Sequence, residues 1–197
     1  MTTVEFHFDF GSPNAYLAHL AIPQIEQRTG ARFQYVPVLL GGVFKATNNV
    51  SPFISLQGIK NKFEYTQLET QRWLARYGIK EYKPNPHFPV NTLQIMRGAV
   101  YALHTECFDQ YVAAVYEHMW CHSRKMDDIE VIASSLAESG LPADEILEGM
   151  QQAEIKQQLI QATSASVERG NFGSPTFFLG EEMFFGKDSL RDLEDAL

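Results

Sequence analysis

The chain has 197 residues, of which 45% are hydrophobic and 20% charged, and a formal net charge of −8. That is enough apolar sequence for one sizeable core or for a domain carrying an insertion. The acidic balance and the lack of a basic run argue against nucleic-acid or anionic-membrane partners. No apolar stretch approaches the roughly 18 residues that a membrane span needs.

Residues 3 to 10 alternate apolar and polar side chains up to Gly11 and predict a strand. They lack a basic n-region and an apolar h-region, so a signal peptide is not expected there. Residues 13 to 29 predict a helix. Ser12 is its N-cap, Pro13 stands at the first helical position and Thr29-Gly30 closes it. Residues 32 to 38, RFQYVPV, predict a second strand, parallel to the first across the helix. Pro37 suits an edge or exit position.

Residues 40 to 57, LGGVFKATNNVSPFISLQ, are rich in turn formers and read as a long connection, a place where function often concentrates. From about 58 to 169 the pattern is mostly helical. KPNPHFP at 83 to 89, the polar run at 123 to 127 and SGLP at 139 to 142 break it. Asp127 with Glu130 resembles a capping pair. TFFL and MFF flank Gly180-Glu181-Glu182 and predict a β-hairpin, and KDSLRDLEDAL predicts a last helix capped by Asp188. The expected fold is α/β, a four-stranded mixed sheet assembled from residues 1–57 and 170–197, with a helical insertion over 58–169.

Two cysteines, Cys107 and Cys121, fall in helical apolar sequence and form no C-x-x-C pair. Two buried free thiols in a reducing, cytoplasmic setting are the expectation. His118 and His122 are spaced for one helix face, but no further ligands are spaced for zinc, and no metal is expected. P-loop, dinucleotide and nucleophile-elbow motifs are absent. Ser12 is left with two readings: a helix cap, or a hydroxyl holding something reactive where the helix end favours an anion.

Several motifs, in order and spacing, resemble one family over nearly the whole chain. They are F-D-F-x-S-P-x-x-Y-L at 8 to 17, P-V-L-L-G-G-x-F-K-A-T-x-N at 37 to 49, and Lys62-x-x-Tyr65 followed by Arg72-Trp73. H-F-P-V-N at 87 to 91, F-G-S-P-T-F-F at 172 to 178 and F-F-G-K-D-S-L at 184 to 190 complete the set. The chain resembles 2-hydroxychromene-2-carboxylate isomerases, which belong to the DsbA-like branch of the thioredoxin superfamily and are related to kappa-class glutathione transferases. That superfamily usually presents Cys-x-x-Cys where this chain has Ser12-Pro13-Asn14-Ala15, so disulfide exchange by the protein itself is excluded at that turn.

The resemblance implies that glutathione is the cofactor and supplies the missing sulfur, as a thiolate stabilised by Ser12. That thiolate would add to the conjugated substrate, open its ring and be eliminated. The resemblance further implies that Ser174, ahead of a cis-Pro175, pairs with the cysteinyl unit. Asp188 and Ser189 would meet the γ-glutamyl end, and Asn49 and Lys62 the glycyl carboxylate. The alternatives are a strand-start proline at 175, simple capping at 188 and 189, and a solvated helix face at 62. The second partner would be a small aromatic carboxylate, with Lys45 and Asn91 as its expected contacts. Phe44, Asn48, Tyr65, Arg72, Trp73 and Phe88 are further candidates or core residues. Gly11 and Ser174 depart from the larger and aliphatic residues usual there. A homodimer is expected. The same site would also serve a kappa-like glutathione transferase, and a non-catalytic glutathione- or peptide-binding module is the third reading.

Overall fold

In the computed structural model, which describes residues 1–197, the chain opens with strand β1 (Thr3–Phe8), helix α1 (Pro13–Thr29) and strand β2 (Arg32–Pro37). β1 and β2 run parallel, with Thr3 opposite Arg32 and Phe8 opposite Pro37. β2 is an edge strand, where the missing N–H of Pro37 need not interrupt a ladder. Near the C-terminus β3 (Thr176–Leu179) pairs antiparallel with β1, and β4 (Glu182–Phe185) pairs antiparallel with β3. The result is a four-stranded mixed sheet in the order β2-β1-β3-β4. Gly180 makes the hairpin turn with a φ of 60°, a left-handed conformation that costs glycine nothing sterically.

Helices fill the chain between β2 and β3: α2 (Leu40–Thr47), α3 (Pro52–Ser55), α4 (Lys62–Tyr77), α5 (Leu93–Ala102), α6 (Phe108–Trp120), α7 (Ile129–Glu138), α8 (Ala143–Gly149) and α9 (Ala153–Glu168). A short 3-10 turn at Lys187–Ser189 and α10 (Leu190–Asp195) end it. The three predicted breaks at 83–89, 123–127 and 139–142 are non-helical.

The connection expected over 40–57 is instead largely helical. Its turn formers do other work: a Cβ on Gly42 would lie 3.1 Å from Thr163 Cγ2 of α9, and Asn48 is the left-handed C-cap of α2 with φ 54°. Close packing and capping select the same residues that loops do. Two caps also move. Asp128, not Asp127, caps α7 by accepting the Glu130 N–H at 3.0 Å, while Asp127 takes Lys125 at 2.8 Å. Asp188 lies in the 3-10 turn and caps no helix with its side chain. Cys121 is buried as expected, but Cys107 is only half-buried.

β1 is covered on both faces. Val4, Phe6 and Phe8 enter the main core, and Phe6 stacks on Phe177 with ring centroids 5.2 Å apart. Phe10, just past the strand, meets Tyr116 of α6 edge-on at 4.8 Å. Each such ring, fully buried, stabilises the fold by about 1.5–3 kcal/mol. The polar members of the β1 alternation do not simply face water. His7 is buried against Ser166 of α9 at 2.8 Å and against Glu5 at 3.0 Å, and Arg169 holds Glu5 at 2.7 Å.

His19 of α1 lies against Tyr116 with ring centroids 4.9 Å apart and shares a hydrogen bond with Tyr35 Oη at 2.7 Å. Burial pulls its pKa down to about 4. A histidine held neutral in the folded chain destabilises it as pH falls through the unfolded value toward the folded one. Between about pH 6.5 and 4, His19 should therefore remove about 3 kcal/mol of stability. Urea unfolding across that window should show a shallower pH dependence for His19→Gln than for the native chain. Equal slopes would refute the assignment.

Candidate active site

Where β1 runs out, the chain must turn from a buried strand into α1 within Asp9–Ser12. Asp9 organises that turn. Its carboxylate is wholly buried and accepts three hydrogen bonds: the Gly11 N–H at 2.8 Å, the Leu40 N–H at 2.7 Å and the Thr92 hydroxyl at 3.0 Å. Burial raises the carboxyl pKa, while these donors oppose the rise. One side chain thus joins the end of β1, the start of α2 and the start of α5. Trp120 Nε1 adds a bond to the Phe10 carbonyl at 2.9 Å. Gly11 packs closely here: a Cβ would sit 3.0 Å from Thr92 Cγ2 and 3.3 Å from Asp9 Oδ1, so a larger residue requires these neighbours to shift by a few tenths of an ångström. The sequence reading assigned no role to Asp9. Its signal was an acid between two phenylalanines at a strand end, a place where a charge survives only if it is fully hydrogen-bonded.

Ser12 follows with extended backbone, φ −90° and ψ 113°, and caps α1 as predicted: its Oγ accepts the Ala15 N–H at 3.2 Å. The same hydroxyl donates to the Ser174 carbonyl at 2.8 Å. The Ser174-Pro175 bond is cis, so the helix end and the proline loop face each other through one hydroxyl. The Asn14 and Ser174 amides have no internal partner, and Ser174 Oγ accepts the Asp9 N–H at 3.2 Å. An aliphatic residue at 174 has no oxygen with which to make that last bond.

The remaining expected residues fall around this centre unevenly. Asn49 spends its amide on structure, donating to the Phe172 carbonyl at 2.8 Å and accepting the Val50 N–H at 2.8 Å, so it braces the proline loop. Asp188 is exposed at the side chain and receives the buried Lys187 ammonium at 2.7 Å. The Ser189 hydroxyl donates to the Gly186 carbonyl at 2.7 Å, and the Gly186 amide in turn reaches the Pro175 carbonyl at 2.9 Å. Lys62 opens α4 with its ammonium 5.8 Å from the Tyr65 ring centroid. Lys45 is exposed on the last turn of α2 and forms no ion pair. Exposed Asn91 adjoins the Asp9 partner Thr92 and accepts the Leu93 N–H at 3.1 Å.

Of the aromatic candidates, Trp73 is core: it is buried, packs on Tyr77 at 4.2 Å and has Lys187 5.9 Å from its ring centroid. Phe88 instead links Trp120 at 6.1 Å to the exposed Phe53 at 5.3 Å, an aromatic row leading outward from the Phe10 carbonyl. Phe44 is half-buried, while Asn48, Tyr65 and Arg72 are exposed. His118 and His122 are 5.5 Å apart between ring centroids and bond Ser139 and Glu117.

A thioredoxin-type sheet, a cis-proline loop and a hydroxyl at the N-terminus of the first helix define a thioredoxin-fold protein whose site carries serine instead of cysteine. The chain belongs to the DSBA-like thioredoxin domain family, which it matches over residues 3–197. It is 31% identical over 195 residues to 2-hydroxychromene-2-carboxylate isomerase of Pseudomonas putida, covering 98% of this chain and 93% of that protein. A solved structure of 2-hydroxychromene-2-carboxylate isomerase superposes with a TM-score of 0.82 at 31% identity, covering 98% of this chain and 93% of that one. Glutathione S-transferase kappa 1 of Homo sapiens is 23% identical, covering 99% and 90%.

Removing the Asp9 carboxylate strands three donors. Asp9→Ala should cost at least about 3 kcal/mol in urea unfolding, whereas Thr92→Val, which removes a donor and leaves the carboxylate its other two bonds, should cost about 1 kcal/mol. Equal losses would show that Asp9 does not anchor the turn.

Proposed function

We propose that the chain is a glutathione-dependent isomerase of 2-hydroxychromene-2-carboxylate or a similar aromatic-degradation intermediate. The observation that carries this is the Ser12 hydroxyl, set between the first turn of α1 and the Ser174 carbonyl ahead of the cis-proline, at 2.8 Å, with no protein thiol at that turn. Its context supports it: the relatives that match almost end to end are named for this reaction.

The residues present fit glutathione. The amides of Asn14 and Ser174 have no internal acceptor and are available as donors, and neither cysteine competes: Cys121 Sγ is 3.0 Å from Tyr16 Oη and Cys107 Sγ is 3.0 Å from Thr105 Oγ1. When bound, glutathione supplies a thiolate that adds to the conjugated ring system and is later expelled, so no sulfur is consumed. Ser12 turns its O–H from the Ser174 carbonyl toward the sulfur, and the α1 N-terminus holds the negative charge there. The Ser174 amide binds the peptide in extended form beside Pro175. Asp188 and Ser189 take the γ-glutamyl end, Lys62 takes the glycyl carboxylate over the brace made by Asn49, and Lys45 and Asn91 take the carboxylate of the substrate.

The human kappa-class relative supports a transferase reading, in which glutathione is consumed. Stoichiometry separates the two, and binding without turnover would identify a non-catalytic module. A cytoplasmic homodimer completes the proposal. Sedimentation velocity reads the dimer, and a monomer would end that part.

Mixing the protein with 2-hydroxychromene-2-carboxylate should change its ultraviolet spectrum only when glutathione is present, with total thiol unchanged at the end. Equal rates without glutathione would sink the cofactor role. Ser12→Ala should lower kcat/KM by about 100-fold, the usual scale for losing one hydroxyl or amide donor to a developing anion. It should also raise the pKa of the bound thiol, read from thiolate absorbance. If both stay put, Ser12 is only a cap worth about 1 kcal/mol.

A further inference from the structure

A cavity of about 340 Å³ lies between α2, α5 and α9, within the range of small-molecule sites, about 300–1,000 Å³. Its apolar walls include Leu39, Leu93, Leu159 and Val167. In a chain of net charge −8, none of its lining residues is acidic, yet two are cations, Arg97 and Lys156. Neither cation enters a salt bridge. Arg97 Nε is shut off from solvent with no hydrogen-bond partner, an uncommon state for a guanidinium nitrogen.

This cavity is separate from the turn at Ser12. Successive residues divide the two: the Leu39 N–H points to Thr163 Oγ1 of α9 at 2.9 Å, while the Leu40 N–H points to Asp9 at 2.7 Å. On α5 the same division falls between Thr92, bonded to Asp9, and Leu93, which lines the cavity. Leu39, Gly42 and Ala46 present one face of α2 to it, with Lys45 a helical step of about 100° away.

We propose that this cavity is a second ligand site, taking a small carboxylate carried on an apolar body. Arg97 and Lys156 receive the carboxylate. No salt bridge holds the Arg97 guanidinium, whose planar edge matches a carboxylate, and the leucines and Val167 cover the hydrocarbon. Thr163 donates its hydroxyl proton to the Leu159 carbonyl at 2.7 Å and Ser164 brings only a neutral hydroxyl, so the two cations are the charged groups of the lining and set the preference for an anion.

Isothermal titration with 2-naphthoate, and with neutral 2-naphthylmethanol, tests this. The native protein and Lys45→Ala should both bind 2-naphthoate at the cavity. Arg97→Met should weaken that binding at least tenfold, and the neutral analogue should bind at least tenfold more weakly than the acid. Ala46→Trp, which projects an indole from α2 over the cavity, should abolish binding without touching either cation, and it preserves the test if Arg97→Met fails to fold. Circular dichroism checks each variant. Absence of saturable binding, or binding lost in Lys45→Ala but retained in Arg97→Met or Ala46→Trp, would overturn the proposal.

Discussion

A single buried carboxylate holds this architecture in register. Asp9 stands where the central strand ends, and its two oxygens reach the Gly11 turn, the first residue of α2 and the hydroxyl that precedes α5. A buried charge is tolerable only when it is surrounded by donors, and here the donors come from three separate parts of the chain. Those three segments must therefore assemble together. The position of Ser12, three residues on, follows from that assembly and not from the helix propensity of α1 alone.

From this anchor the site is built through short links. Ser12 bonds back to the Ser174 carbonyl, Ser174 Oγ bonds to the Asp9 amide, and the Gly186 amide bonds to the Pro175 carbonyl. The helix end, the proline loop and the end of the hairpin form one connected frame. Such a frame fixes the Ser12 hydroxyl between the start of α1 and the proline loop. Asn49 belongs to the frame as a brace on Phe172. Lys45 on α2 and Asp188 in the 3-10 turn are exposed, and Lys62 at the start of α4 is half-buried; none of the three bonds to this frame.

Much of this was legible in residue order. The strand–helix–strand start, Ser12 as cap, the hairpin at Gly180 and the three helical breaks follow from periodicity and turn chemistry, which are local properties. Misreadings arose where one residue type serves two ends. Gly42 and Asn48 looked like loop, because helix packing and helix capping recruit glycine and asparagine for the same backbone reasons. Asp127 and Asp188 looked like caps, because a neighbouring lysine that claims a carboxylate is invisible to a capping pattern.

By itself the sequence determined the strand–helix–strand opening, the closing hairpin, the absence of a thiol at the turn after β1 and the placing of a hydroxyl at a helix N-terminus, since each depends on residues a few positions apart. Tertiary structure alone decided the partners of that hydroxyl, the anchoring by Asp9 and the unpaired Arg97 facing a cavity with Lys156. Apart from local bonds such as those to Gly11 and Ala15, the contacts of Asp9 span 31 to 165 positions and that of Ser12 spans 162. No local pattern encodes which distant donor will arrive at a buried acceptor; only the closed core does.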